Sequence, residues 1–188
     1  LPVTFMAMVG TRVGETVELR VKDILNGQRM SVSRSATKVP LSESPDGDGW
    51  KVEAGTSTKS GRSRVVWVPP ALIEAVKAGR DRPNELLFPD DNGKRLNYFQ
   101  MNKTWKRTRQ ELIAEGKLPE EKAKVRMHDL RHTCASMLAD KGASILVVAQ
   151  QLGHADPSIT ARIYAHIFPS AVDALMGALD EDVNEVLR

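Results

Sequence analysis

A single cysteine, Cys134, has no partner in the chain, which excludes a disulfide-stapled fold and points to a reducing compartment. Long apolar runs are missing as well. The apolar opening, residues 1–10, is about half of what a membrane-crossing helix needs, and no basic segment of the signal-peptide kind precedes it. The opening also lacks an initiator Met, so we read it as the end of a buried helix cut from a longer chain. No internal repeat or low-complexity tract occurs, which leaves out solenoids and disordered tails as the main architecture. Net charge is only +3, so the overall balance does not demand a polyanionic partner.

The distribution of charge is more informative. Residues 92–141 carry twelve Lys or Arg against six Asp or Glu, whereas the residues after Tyr164 carry five acids and one Arg. A basic middle before an acidic end suits a polyanion surface with a separate segment that meets protein; a solvated basic face is the plainer alternative. At 188 residues and 41% apolar content, the chain can bury a core and form one compact domain, with or without an appendage.

In chain order, Gly10-Thr11-Arg12-Val13-Gly14-Glu15 interrupts the opening helix, and a helix is expected to resume over 15–21. Residues 28–33 alternate as a strand. Ser, Pro, Gly and Asp crowd residues 36–49, which predicts a loop. Strand pattern returns at 50–53, a turn follows at 56–61, and Arg64-Val65-Val66-Trp67-Val68 reads as a third strand ended by Pro69 and Pro70. Helices are predicted over 70–80, with Leu72, Ile73 and Val76 inward, and over 98–115, where Phe99, Met101, Trp105 and Leu112 are available to the core. Between them Leu86, Leu87 and Phe88 form a short buried segment. Residues 116–125 form a charged connection, and 171–186 read as an amphipathic helix with Val172, Leu175, Met176, Leu179, Val183 and Val186 along one side.

The densest chemistry runs from His128 to Tyr164. At about 100° per residue, a helix over 129–141 puts Leu130, Cys134, Met137 and Leu138 on one arc, predicted to be buried. His128, Arg131, His132, Ala135 and Ala139 fall on the other. Gly142 breaks that helix, Ser144 caps the next, and Ile145, Val148, Ala149 and Leu152 make its buried stripe. Gly153 ends it and sets His154 at a turn; Asp156-Pro157 starts a last helix, which carries Tyr164. One reading of the histidines is a metal site, since His128-Asp-Leu-Arg-His132 differs from the zinc-protease H-E-x-x-H by Asp for Glu. Against it stand the shorter arm of Asp129, the fixed cation of Arg131 beside a dication, and no third ligand beyond His154 or His166. The other reading is phosphate chemistry: arginine and histidines donate to phosphate oxygens, and a tyrosine hydroxyl can attack phosphorus.

His128-x-x-Arg131-His132, Leu152-Gly153-His154 and Tyr164 ten residues later resemble the second half of a tyrosine recombinase of the phage-integrase type. The G-x-R-x-x-E of Gly10, Arg12 and Glu15 resembles that family's first arginine box, and Thr58-Lys59-Ser60-Gly61-Arg62-Ser63-Arg64-Val65-Val66 its lysine hairpin. The resemblance spans residues 5–168. It implies an α+β fold: a mainly helical catalytic domain over 1–168 with a small antiparallel three-stranded sheet at one edge carrying Lys59. The family's N-terminal DNA-binding domain is absent from this chain, and residues 169–188 would be a helical tail that docks on a neighbouring subunit. The implied activity is site-specific cleavage and rejoining of DNA through a 3′-phosphotyrosyl link, in integration or excision of a phage or mobile element.

The implied roles follow the chemistry of each group. Arg12 and Arg131 clamp the nonbridging oxygens while charge builds at phosphorus, with Glu15 as a structural partner of Arg12. His154 adds a hydrogen bond, Lys59 protonates the leaving 5′ oxygen, and His128 takes the proton of Tyr164, whose reference pKa is about 10. His132 is expected to be structural or to support the groups that touch the phosphate. Arg62, Arg64, Lys103, Lys106 and Arg107 are the expected DNA contacts. No metal or other cofactor is called for, because side chains supply the cations. The expected partners are double-stranded DNA, further copies of the chain in a tetramer, and accessory DNA-bending or directionality proteins, in the bacterial cytoplasm at the nucleoid and away from membranes. A noncatalytic DNA-binding module of the same fold and a type IB topoisomerase are the alternatives.

Overall fold

The computed structural model describes residues 1–40, 50–55 and 63–164. The expected turn at 56–61 with Lys59, Arg62, most of the 36–49 loop, His166 and the tail over 169–188 lie outside the described residues.

Helix α1 (Pro2–Val9) starts on a proline, whose missing N–H costs nothing in a first turn, and buries Phe5, Met6 and Val9. Gly10 ends it at φ 75°. A side chain there would strain the backbone and would also collide, since a Cβ would lie 2.6 Å from Leu152 Cδ2. Arg12 then caps α2 (Val13–Thr16), with Glu15 accepting the Arg12 backbone N–H at 2.8 Å. The helix expected over 15–21 stops early. Leu19 and Arg20 are drawn instead into pairing with the 86–87 segment, where Leu87 N–H donates to Leu19 O at 2.9 Å and Arg20 bridges Leu86. A short 3-10 turn, Val21–Asp23, follows.

Five strands come next: β1 (Ile24–Asn26), β2 (Arg29–Val32), β3 (Ser35–Pro40), β4 (Trp50–Gly55) and β5 (Arg64–Trp67). The three-stranded antiparallel sheet has the order β1-β2-β5, with Met30 opposite Val66 and Val32 opposite Arg64. Two details differ from the sequence reading. Residues 36–40 are strand rather than loop, because β3 pairs with β4 in a separate hairpin whose register runs from Ser35 opposite Gly55 to Pro40 opposite Trp50. That ladder satisfies backbone donors and acceptors whatever the composition. The sheet's remaining strand is therefore β1, which the sequence pattern does not mark.

The helices are α3 (Pro70–Lys77), α4 (Tyr98–Ala114), α5 (Leu130–Asp140), α6 (Ile145–Leu152) and α7 (Pro157–Tyr164). Local signals set their ends: Asn97 Oδ1 accepts from Phe99 N–H at 2.8 Å, Ser144 Oγ from Val147 N–H at 3.4 Å, and Gly153 closes α6 at φ 71°. One apolar cluster joins α1, the sheet and α3 through Phe5, Val9, Met30, Val66, Ile73 and Phe88. A second joins the last three helices through Cys134, Ala135, Val148, Leu152 and Tyr164. Between them Met6, Val13, Met127 and Leu130 receive Met101 and Trp105 from α4, which itself has no fully buried residue. Helix α5 is rotated relative to the expected arc. Leu130, Arg131, Cys134, Ala135 and Ala139 are buried, while Met137 is 40% exposed. Helix α1 lies against α5, where Cys134 Sγ donates to Met8 O at 3.5 Å, while Ala135 packs with Val148, Leu152 and Tyr164. Among the described residues no helix is long and apolar enough to cross a membrane.

Candidate active site

The site is built on one carboxylate. Glu15 is 1% exposed and holds two guanidiniums. Arg12 donates its Nη1 to Oε1 at 2.8 Å, and Arg64 on β5 donates Nη1 to Oε1 at 2.9 Å and Nη2 to Oε2 at 2.8 Å. Burial pushes the Glu15 carboxyl up, but the hydrogen bonds and charge of Arg64 and then those of Arg12 outweigh it and hold its pKa at about 2. The anion lets two like charges share one corner of the fold. The stem of Arg64 also covers Gly153, where a Cβ would lie 2.2 Å from Arg64 Cδ. Glycine in the Leu-Gly-His turn thus meets two demands, positive φ and close approach.

Helix α5 sends Arg131 into the same corner, 3% exposed. Its Nη1 donates to Gly10 O at 2.6 Å and its Nη2 to Leu152 O. Those carbonyls end α1 and α6, where helices leave acceptors unpaired, so Arg131 ties two helix ends together while carrying its charge inward. Burial first, then the charges of Arg12 and Arg64, pull its pKa down to about 9; it remains a cation at neutral pH. His154 follows Gly153 and places Nδ1 2.6 Å from Thr160 Oγ1 on α7. Burial and the charges of Arg131, Arg12 and Arg64 lower its pKa to about 4, so it is neutral. In the tautomer whose Nδ1 accepts from the Thr160 hydroxyl, the ring proton is on Nε2, where it can be donated. His128 is held below the usual histidine range by burial, then by Arg131, His132 and Arg12, with Asp129 opposing. These mutual influences place Arg12, Arg64, Arg131, His128 and His154 in one electropositive cluster.

Tyr164 ends α7, with its ring in the helical core and 3% exposed. Burial raises its pKa, with the charge of Arg131 opposing. Its hydroxyl lies 2.7 Å from Nδ1 of His132. From sequence His128 is expected to take that proton and His132 to be structural or supporting; it is His132 that touches the hydroxyl. The rings of His128 and His132 stand 6.1 Å apart and nearly perpendicular. Among the described residues no three His, Cys, Asp or Glu side chains gather as a metal-ligand set.

The expected DNA contacts separate into two groups. Lys103, Lys106 and Arg107 lie exposed along α4, Arg107 within 3.5 Å of Glu111. Arg64 is internal, its side chain 12% exposed and its guanidinium committed to Glu15, which makes it a support for Arg12. Sequence reasoning passed over Gln151, which is buried and accepts Trp67 N–H while donating to Val9 O and Trp67 O, each at 2.9 Å. A glutamine beside the apolar stripe of α6 was the available signal. Thr160, the partner of His154, carried no signal of its own.

Residues 2–170 match the phage integrase family. The chain belongs to that family. Among curated proteins, it is 33% identical over 176 residues to a putative prophage phiRv2 integrase of Mycobacterium tuberculosis, an alignment covering 87% of this chain and 41% of that relative. The chain therefore spans less than half the length of that integrase. Among solved structures, a Tn1549 transposon integrase in complex with circular intermediate DNA superposes with a TM-score of 0.66 at 20% identity, covering 94% of this chain and 58% of the other. The catalytic domain of bacteriophage HP1 integrase superposes with a TM-score of 0.57 at 23% identity, covering 94% and 79%. The fold is that of an integrase catalytic domain: mostly helical, with one small three-stranded antiparallel sheet.

Proposed function

We propose that this chain is the catalytic part of a site-specific DNA recombinase of a phage or other mobile element. The observation that carries this reading is the convergence of Arg12, Arg131, His154 and His128 beside the helix that ends in Tyr164. A phosphodiester is anionic and repels nucleophiles, so the buried guanidinium of Arg131, the partly exposed one of Arg12 held by Glu15, and a neutral histidine, fixed before substrate arrives, stabilise the charge that develops at phosphorus. Tyr164 attacks, the 5′ oxygen leaves with a proton from Lys59, and the DNA end is held as a 3′-phosphotyrosyl link that needs no nucleotide for rejoining. The exposed bases of α4, with Arg62, contact the DNA backbone. Double-stranded DNA is the substrate, further copies of the chain complete the active tetramer, and the reaction takes place in the bacterial cytoplasm.

The test is covalent capture. The chain is incubated with nicked duplexes of randomised sequence and resolved under denaturing conditions. A protein-DNA adduct is expected from the unsubstituted chain and none from Tyr164→Phe, whose DNA binding should persist. An adduct from the Phe variant would show that another residue attacks. Sedimentation of the full chain and of residues 1–168 on captured DNA tests the tail, which we assign to docking on a neighbouring copy. Equal assembly by both would refute that assignment.

A further inference from the structure

Helix α5 presents His132 one turn after Asp129 and three residues before Ala135. Since Ala135 is small, the ring of Tyr164 can settle against that face, packed with Cys134, Val148 and Leu152, its centroid 5.4 Å from that of His132. The hydroxyl then meets Nδ1 at 2.7 Å. The far side of the imidazole faces a fixed anion, with Nε2 4.0 Å from Asp129 Oδ1. Asp129 is itself anchored, accepting the Arg126 backbone N–H at 2.8 Å and Arg126 Nη2 at 3.0 Å, and this pairing keeps its carboxyl below the usual range. Hydroxyl, imidazole and carboxylate are thus in series. The order is that of a nucleophile, a base and the group that steadies the base once it is charged.

We propose that His132 is the catalytic residue that accepts the proton of Tyr164, the role expected from sequence for His128. The inference rests on the recombinase reading above. In the step, the Tyr164 O–H bond breaks and the proton passes to Nδ1 of His132. The freed electron pair of the oxygen forms the bond to phosphorus, and the bond from phosphorus to the 5′ oxygen breaks. The departing oxygen takes its proton from the general acid assigned above. His132 becomes an imidazolium facing Asp129; on rejoining, the incoming 5′ hydroxyl returns its proton to that general acid as its oxygen bonds phosphorus, the bond from phosphorus to the tyrosine oxygen breaks, and Nδ1 of His132 returns the proton to that oxygen. His128, set among Arg131, Arg12 and His132, is left to the phosphate oxygens. Burial, which raises the Tyr164 pKa, is the reason a base is needed: the hydroxyl does not ionise unaided at neutral pH.

The test separates proton acceptance from support. His132→Asn puts an amide oxygen near the place of Nδ1, so it can receive the hydrogen bond but not the proton. His132→Ala removes both. The full chain and both variants are assayed on captured duplexes carrying either an ordinary phosphodiester or a bridging 5′-phosphorothiolate, whose thiolate leaves without protonation. We expect both variants to bind DNA as the unsubstituted chain does and to form adduct at least about a hundredfold more slowly, with no recovery on the phosphorothiolate. An Asn variant within threefold of the unsubstituted rate, or full recovery on the phosphorothiolate, overturns the proposal. A readout without turnover is ¹⁵N resonance of the His132 ring: Nδ1 should be unprotonated and should shift in Tyr164→Phe. A proton found on Nδ1 overturns the proposal as well. An unsubstituted chain that forms no adduct refutes the recombinase reading and the step with it; an active chain beside an equally active His132→Asn refutes the step alone.

Discussion

Replacing Glu15 by Gln tests the centre of the site with a change of one heavy atom. The carboxylate lies buried between Arg12 and Arg64, and its pKa falls from 4.5 to about 2. At about 1.4 kcal/mol per unit, the pairing contributes roughly 3 kcal/mol at neutral pH, in line with the cost of breaking a buried ion pair from one side. For a chain of this size that corresponds to a fall in Tm of about 6–12 °C. The sign with pH follows from the depressed folded value. The stabilisation is complete above the unfolded pKa near 4.5 and disappears as pH falls towards 2; by about pH 3 more than half is lost. Thermal melts of the chain and of Glu15→Gln at pH 7 should therefore differ strongly, and the gap should narrow in acid as the unsubstituted chain weakens. Cleavage should fall with the substitution even at temperatures where the variant is folded, because Arg12 loses the group that orients it. A variant melting within 2 °C of the unsubstituted chain at pH 7, or a gap that stays constant down to about pH 3, would refute the reasoning.

Arg131→Lys keeps the charge but not the planar fork that spans Gly10 O and Leu152 O. Covalent capture should drop by orders of magnitude while salt-dependent DNA binding changes little, and near-normal capture would remove Arg131 from the phosphate clamp. Gly153→Ala introduces a methyl group 2.2 Å from Arg64 Cδ at a φ of 71°, so it should lower stability by at least about 2 kcal/mol from left-handed strain and the displacement of Arg64. In urea titrations, adding Arg64→Ala makes room for that methyl group, so the double variant should lose less than the sum of the two single losses; simple additivity would show that the two side chains do not compete for the same space.

Much of this protein is decided within short stretches. The caps at Asn97 and Ser144 and the glycine after Leu152 set helix ends through bonds between near neighbours, and the pairing of Arg12 with Glu15 spans three residues. The order of Arg12, His128, Arg131, His154 and Tyr164 was therefore legible, together with the helices that carry Arg131 and Tyr164. Contacts between distant stretches were not. Nothing local to Arg64 shows that its guanidinium turns inward to Glu15, 49 residues earlier, rather than outward to DNA. Nor does the strand pattern show that residues 36–40 pair with 50–54, since a backbone ladder forms without a side-chain signature. The choice between the two histidines is the sharpest case. His128 and His132 share one helix face by period alone, and which of them meets Tyr164, 32 residues beyond His132, depends on where α7 settles against α5. That position follows from the small Ala135 and the packing of Cys134, Val148 and Leu152 around the tyrosine ring, contacts that exist only once the helices have come together.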